Sequence, residues 1–251
     1  MTFLKIAVVG SGISGLSAAW LLSKKHDVTL YEADNRPGGH TNTVAMDVNG
    51  KTFNVDAGFI CFNEATYPNL IALFDYLKVP VHPTIMSFAA SMNNGAYEYA
   101  GGTRLGMIGQ PANIFKAGHW RLIKDIVKFF REAGRSMDSI PDDETLADYV
   151  KREGYSVEFC ELHLLPMAAA IWSSRMDDMM RYPARAFIRF FHNHGLLKMY
   201  GRPEWRSVLG GAKTYVDKIL ADATVKLRCN CPIDRIERNA AGVIVYNRDG
   251  E

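Results

Sequence analysis

An α/β fold interrupted by a largely helical insertion is predicted by three observations. A β-α-β pattern closed by a glycine-rich turn occupies residues 4–32. Helical periodicity dominates residues 111–200. Short strand patterns return after Gly210-Gly211 and continue to residue 246. A mixed start, a block of helices and a return to strands predict a second structural unit inserted into the first.

Each element has a local reason. Residues 4–9, Leu-Lys-Ile-Ala-Val-Val, read as a buried parallel strand. Leu16, Ala18, Ala19, Leu21 and Leu22 belong to a buried helix ending near Lys25, and residues 28–31 form the second strand. Residues 34–42 hold Asp, Asn, Arg, Pro and two Gly and read as a loop. Asn49-Gly50 between residues 43–48 and 52–55 marks a hairpin. An amphipathic helix is expected at 68–77, and strands at 84–92 and 96–99 around Asn93-Asn94-Gly95. Further helices are expected at 119–133, 145–152, 156–171, 183–191 and 215–220, with Pro141-Asp142-Asp143 supplying a start signal. The last strands are expected at 225–228, 233–238 and 242–246. Asp249-Gly250-Glu251 is a turn sequence with no strand after it, which reads as a sign of truncation. There is no internal repeat or low-complexity segment.

Composition narrows the function classes. At 251 residues and 48% hydrophobic, the chain can bury a substantial core. The 29 Lys+Arg nearly balance the 27 Asp+Glu, which removes the electrostatic argument for a nucleic-acid partner. Cys61, Cys160, Cys229 and Cys231 are too few and too scattered for a disulfide scaffold. They are expected to be reduced thiols of a cytoplasmic protein. No signal peptide and no run of about 18 apolar residues is visible, which leaves room for a peripheral membrane contact.

The turn Gly10-Ser11-Gly12-Ile13-Ser14-Gly15 matches G-x-G-x-x-G between a predicted strand and a predicted helix. Gly10 turns the chain tightly off the strand, Gly12 lets a pyrophosphate approach the backbone, and Gly15 lets the helix pack on the sheet. The helix N-terminus then offers free N–H groups to the phosphates. Glu32 ends the second strand, where a carboxylate can accept hydrogen bonds from both ribose hydroxyls and would repel a 2′-phosphate. This is a Rossmann-like FAD/NAD(P)-binding pattern that argues against NADP and does not by itself separate FAD from NAD.

The next segment does separate them. Glu32-Ala33-Asp34-Asn35-Arg36-Pro37-Gly38-Gly39-His40-Thr41-Asn42-Thr43 resembles the flavin amine oxidase superfamily, which includes monoamine and polyamine oxidases, protoporphyrinogen oxidase and carotenoid desaturases. Members carry E-A-x-x-R-x-G-G-R-x-x-T at this place. The resemblance implies a glutathione-reductase-type FAD domain with FAD as cofactor. Glu32 and Ala33 would lie at the ribose, Arg36 would reach the ribose or pyrophosphate, and Gly38, Gly39, His40 and Thr41 would pass the ribityl chain and flavin ring. His40 departs from the usual Arg, which points to a subfamily distinct from the amine oxidases proper. Asp56-Ala57-Gly58-Phe59-Ile60 resembles the D-x-G segment beside the flavin, Gly210-Gly211 with Tyr215 resembles the return segment P-x-G-G, and Ile233 falls where the family contacts adenine. The resemblance covers residues 4–75 and 206–251.

It implies three segments: residues 1–80 as the first part of the FAD domain, 81–205 as a helical substrate domain, and 206–251 as the second part, with the family's C-terminal remainder absent. Ala170-Ile171-Trp172-Ser173 and residues 191–197 look like a bacterial subgroup of predicted NAD/FAD-binding proteins, whose plant relatives are fused to cyclopropane fatty acid synthases. That favours a small apolar or lipid-like substrate. The expected function is an FAD-dependent oxidoreductase passing a hydride from a C–H or C–N bond to flavin N5. The alternatives are an amine oxidase releasing peroxide and a truncated, non-catalytic nucleotide-binding module.

No acid or base is singled out as catalytic, and no metal site is expected. His192 and His194 point about 200° apart on a helix, and His82 and His163 have no nearby sequence partner, so packed histidines are favoured over ligands. Trp172, Phe187, Phe190 and Phe191 read as core more readily than as a cavity lining. Arg181, Arg185 and Arg189 are spaced by four and read as one solvated helix face, with recognition of a carboxylate or lipid head group as the sharper alternative.

Overall fold

The computed structural model describes residues 2–198, 201–240 and 242–248. The chain begins β1 (Lys5–Val9), α1 (Ile13–Ser23), β2 (Asp27–Tyr31), β3 (Thr43–Val48), β4 (Lys51–Asp56), β5 (Phe62–Asn63), α2 (Pro68–Leu77) and β6 (Val81–Thr84). It continues through β7 (Ala89–Met92), β8 (Tyr97–Ala100), α3 (Arg104–Ile108), a 3-10 turn (Pro111–Phe115), α4 (Ala117–Ser136), α5 (Leu146–Arg152) and α6 (Val157–Phe159). After a π-helical turn (Cys160–Leu164) come α7 (Leu165–Trp172), α8 (Met176–Met180) and α9 (Ala184–Asn193). The last elements are β9 (Trp205–Val208), α10 (Lys213–Asp222), β10 (Val225–Arg228), β11 (Ile233–Asn239) and β12 (Gly242–Asn247). Two compact units result, Met1–Thr84 with Glu204–Glu251, and Ile85–Pro203.

The first unit is built on a parallel sheet in the order β1-β2-β10. Val28 and Leu30 of the central strand are fully buried and pack with Leu16 and Ala19 of α1 and with Val216 and Ile219 of α10. Each such fully buried aliphatic side chain contributes roughly 1.5–3 kcal/mol. Strand β10 comes from the far end of the sequence, yet Val225 pairs with Val28 and Arg228 with Tyr31. Asn49 and Gly50 both take positive φ, as a type I′ hairpin requires, and join β3 to β4. Val44 pairs with Val55 and Met46 with Phe53, so the ribbon has one apolar face.

The expected strand over 84–92 is two strands. Val81–Thr84 pairs with β9 in the first unit, whereas Ala89–Met92 pairs with β8 in the second. The change of partner ends the ladder, and Ile85 between them is exposed to solvent.

The second unit packs α4 and α9 around a core that includes Leu122, Ile126, Phe129, Phe159, Phe187 and Phe191. The expected helix over 156–171 widens into a π turn at Cys160–Leu164. Pro166 has no N–H to give to the carbonyl of Leu162. The Tyr99 hydroxyl donates to that oxygen instead, at 2.9 Å. The same hydroxyl lies 2.8 Å from Nδ1 of His163, so this histidine has a partner distant in sequence. Burial and the nearby Arg202 push its pKa down to about 4, which keeps it neutral. Trp172, Phe187, Phe190 and Phe191 pack against one another, Phe187 and Phe191 in the core and Trp172 and Phe190 at its edge. Arg181 lies in the turn after α8, so it does not share the α9 face with Arg185 and Arg189; Pro183 separates the two helices. Arg185 pairs with Asp142.

Candidate functional site

The site begins at the turn between β1 and α1. Gly10 takes φ +88° and donates to the carbonyl of Tyr31 at 2.8 Å, which carries the chain off the sheet. A Cβ at Gly15 would lie 1.9 Å from the Gly10 oxygen, so only glycine fits there. A Cβ at Gly12 would meet nothing within 4 Å. The space above Gly12 is therefore open to a ligand. Helix α1 starts at Ile13 with no side-chain cap, so its first N–H groups face that space without a partner from the chain's side chains. A pyrophosphate fits both features.

Glu32 stands beside the turn and is buried. Its Oε2 accepts the Ser11 N–H at 2.8 Å and the Ser11 hydroxyl; its Oε1 accepts the Asp34 N–H at 2.9 Å. Burial pushes the carboxyl pKa up, but these hydrogen bonds outweigh it and hold the group below the usual carboxylate range. The carboxylate is thus charged and oriented, with lone pairs left on Oε1 for a diol. Ala33 is exposed next to it. Beyond β10, Asn230 N–H donates to Asp34 O at 2.9 Å and Cys231 N–H to Glu32 O at 2.8 Å. These two bonds bring the start of β11, and with it Ile233, to the same edge.

The loop 36–42 folds back over the turn. Gly38 N–H lies 3.0 Å from the Ser11 carbonyl and 3.1 Å from its hydroxyl. A Cβ at Gly39 would come within 3.1 Å of the Gly12 Cα. Arg36 donates to the carbonyls of Thr41, at 3.3 Å, and Gly39, at 3.1 Å. Its guanidinium therefore braces the loop. His40 is exposed, and its carbonyl accepts the Phe59 N–H at 3.0 Å. A Cβ at Gly58 would lie 2.1 Å from that same carbonyl. Three segments far apart in sequence, 10–15, 36–41 and 58–59, are thereby joined into one cradle. Ser14 is exposed at its rim, and Thr41 is buried behind it.

Two groups of contacts behind the cradle, one at Tyr215 and one at Asp56, were not anticipated from the sequence. The Thr41 hydroxyl bonds the Tyr215 hydroxyl of α10. Tyr215 is buried against Phe59 and Phe74, and that burial pushes its pKa up. Asp56 Oδ1 accepts the Thr43 hydroxyl at 2.5 Å and the Ala212 N–H at 2.8 Å, while Thr43 Oγ1 accepts the Lys213 N–H at 2.9 Å. Asp56 and Thr43 therefore cap the N-terminus of α10. The available signals were the D-x-G pattern and the tyrosine after Gly210-Gly211, but neither identifies its partner.

Ile60, 58% exposed, lines a cavity of about 530 Å³ with Phe53, Val55, His82, Ser207 and Val208. His82 Nδ1 lies 3.0 Å from its neighbour's carbonyl at Pro83. Among the described residues, no group of three or more His, Cys, Asp or Glu could hold a metal ion.

A family model described as flavin containing amine oxidoreductase matches residues 13–251. Short stretches resemble two proteins of Staphylococcus aureus. Coproporphyrinogen III oxidase is 44% identical over 45 residues, covering 17% of this chain and 10% of that one. The 4,4'-diapophytoene desaturase of strain Newman is 43% identical over 53 residues, covering 21% and 10%. Among solved structures, cyclohexylamine oxidase from Brevibacterium oxydans superposes with a TM-score of 0.70 at 18% identity, over 98% of this chain and 55% of that one. Putrescine oxidase bound to putrescine gives 0.65 at 17% identity, over 99% and 56%. The chain thus spans little more than half the length of these folds.

Proposed function

This chain belongs to the flavin-containing amine oxidoreductase family, whose members are FAD-dependent, and from that premise we propose that it holds FAD in the cradle around Gly12 and serves oxidation of a small apolar or lipid-like substrate. The observation that carries this reading is the joint formed at Ser11, which ties the phosphate turn, Glu32 and the Gly38-Gly39 loop together.

Each residue has a task in this reading. Gly12 and the uncapped start of α1 receive the pyrophosphate. Glu32 accepts the ribose hydroxyls, and its charge disfavours a 2′-phosphate. Gly39 and Gly58, on either side of His40 in this reading, let the backbone run close to the ring system without side-chain obstruction. Thr41 and Tyr215 brace that backbone from behind. Bound FAD would supply the redox chemistry, taking up a hydride equivalent as a C–H or C–N bond of the substrate is oxidised. The protein's part is position and charge.

The apolar lining of Phe53, Val55, Ile60 and Val208 supports an apolar substrate, as does the local likeness to a desaturase. The family description favours a second reading, oxidation of an amine with release of peroxide. The test is the visible spectrum of the purified chain, with and without added FAD, followed by a peroxide assay against an amine panel. Bound oxidised flavin without amine-dependent peroxide supports the first reading. Peroxide with amines replaces it by the second. A chain that stays colourless with excess FAD overturns both and leaves a non-catalytic module.

A further inference from the structure

We propose that residues 105–124 form the surface through which this protein rests on an anionic lipid bilayer. A lone exposed leucine needs no explanation. Here Leu105, 81% exposed, Phe115, 85% exposed, Ile114 and Trp120 fall within a single run of the second unit. The 3-10 turn carrying Ile114 and Phe115 leads directly into α4. The Trp120 indole N–H donates to the Ile114 carbonyl at 2.9 Å, which sets the indole against that turn while half of it stays open to solvent.

Helix α4 separates two environments. Leu122, Ile126 and Phe129 enter the core. Trp120 and Lys124, four apart and both exposed, share the outer face. That face has no apolar core to join, so its indole is available to something outside the unit.

Charge selects the occupant. None of the chain's 27 acidic residues lies between Glu98 and Asp125. The run carries Lys116, Arg121 and Lys124 beside the exposed apolar side chains. Arg121 is neutralised by Glu158, so the uncompensated cations are Lys116, which sits over the Tyr97 ring, and Lys124. Aromatic and aliphatic side chains among cations, with the Glu158 carboxylate taken up by Arg121, match the boundary of an anionic bilayer. There the rings enter the acyl edge and the Lys124 stem extends to the head groups, while Lys116 keeps its charge at the surface, held by Tyr97 and the Asn113 side-chain oxygen. No helix of the described residues is long and apolar enough to cross a membrane, so this contact lies on one leaflet.

The test is flotation of the purified chain with vesicles of phosphatidylcholine alone and of phosphatidylcholine with phosphatidylglycerol at roughly 3:1. The chain should float with the anionic vesicles, less so at high salt, and should stay behind with the neutral ones. Leu105→Ser with Phe115→Ser should lower the bound fraction at least about tenfold. Lys124→Glu should weaken it further. Both variants should melt as the wild type does, because these side chains are exposed. Failure to float with anionic vesicles, equal flotation with neutral ones, or undiminished flotation of the double variant overturns the proposal. So does self-association that depends on Phe115 without flotation, which would make this a contact between copies. None of these readouts requires bound flavin, so they stand apart from the test of the flavin site.

Discussion

Asp56 accepts the amide of Ala212 at 2.8 Å across 156 residues of sequence, and so caps the helix that follows Gly210-Gly211. The same oxygen holds the Thr43 hydroxyl at the start of β3. One carboxylate thus ties the β3–β4 hairpin to the second segment of its own unit. Asp56→Ala should cost about 1–2 kcal/mol by removing the cap. The check is chemical denaturation of the chain; an unchanged midpoint would show that the cap carries no weight.

Gly12 and Gly15 lie three residues apart and should fail in opposite ways. Gly15→Ala places a methyl 1.9 Å from the Gly10 carbonyl, a backbone atom that cannot give way cheaply. It should yield little soluble protein. Gly12→Ala meets open space at φ −60°, so thermal stability should hold. Its methyl occupies the ligand's space, and FAD affinity should fall by at least about tenfold, or about 1.4 kcal/mol. Flavin fluorescence quenching reads the affinity. A Gly12→Ala protein that binds FAD normally would move the phosphate site elsewhere.

Ser11 is completely buried and gives both its N–H and its hydroxyl to the Glu32 carboxylate, beside the Asp34 N–H. Glu32→Gln keeps the shape but turns one acceptor oxygen into a donor facing either Ser11 or Asp34 N–H. FAD binding should weaken, and discrimination against a 2′-phosphorylated dinucleotide should fall. Competition binding with the two dinucleotides measures this. Undiminished discrimination would mean that Glu32 does not face the ribose.

His163 makes the second unit acid-sensitive. Its folded pKa, about 4, lies below the unfolded value of 6.5 because burial opposes the charged form. Unfolded chains therefore take up a proton between pH 6.5 and about 4 that folded chains refuse. Stability from this group is complete above pH 6.5 and declines as pH falls, with a slope of up to about 1.4 kcal/mol per pH unit. His163→Phe should remove that component. Parallel melts of the two proteins from pH 7 to pH 4.5 test it, and equal slopes would refute it.

The sequence by itself determined the elements whose cause is local. The glycine spacing of 10–15, the strands on either side and Glu32 at the second strand's end follow from turn geometry and periodicity. The Asn49-Gly50 hairpin follows from the positive φ that its turn type requires. Family membership was also legible in residues 32–43.

Only the tertiary structure decided how distant groups meet. Nothing in the periodicity pairs Val225 with Val28, or Thr41 with Tyr215 at a separation of 174 residues. The break between β6 and β7 arises because each strand finds a different partner. The π turn follows from the proline at 166 and from a tyrosine hydroxyl some sixty residues upstream that takes the freed carbonyl. Burial and hydrogen-bond satisfaction act across space, and a local pattern specifies which groups must be satisfied without specifying which partner will do so.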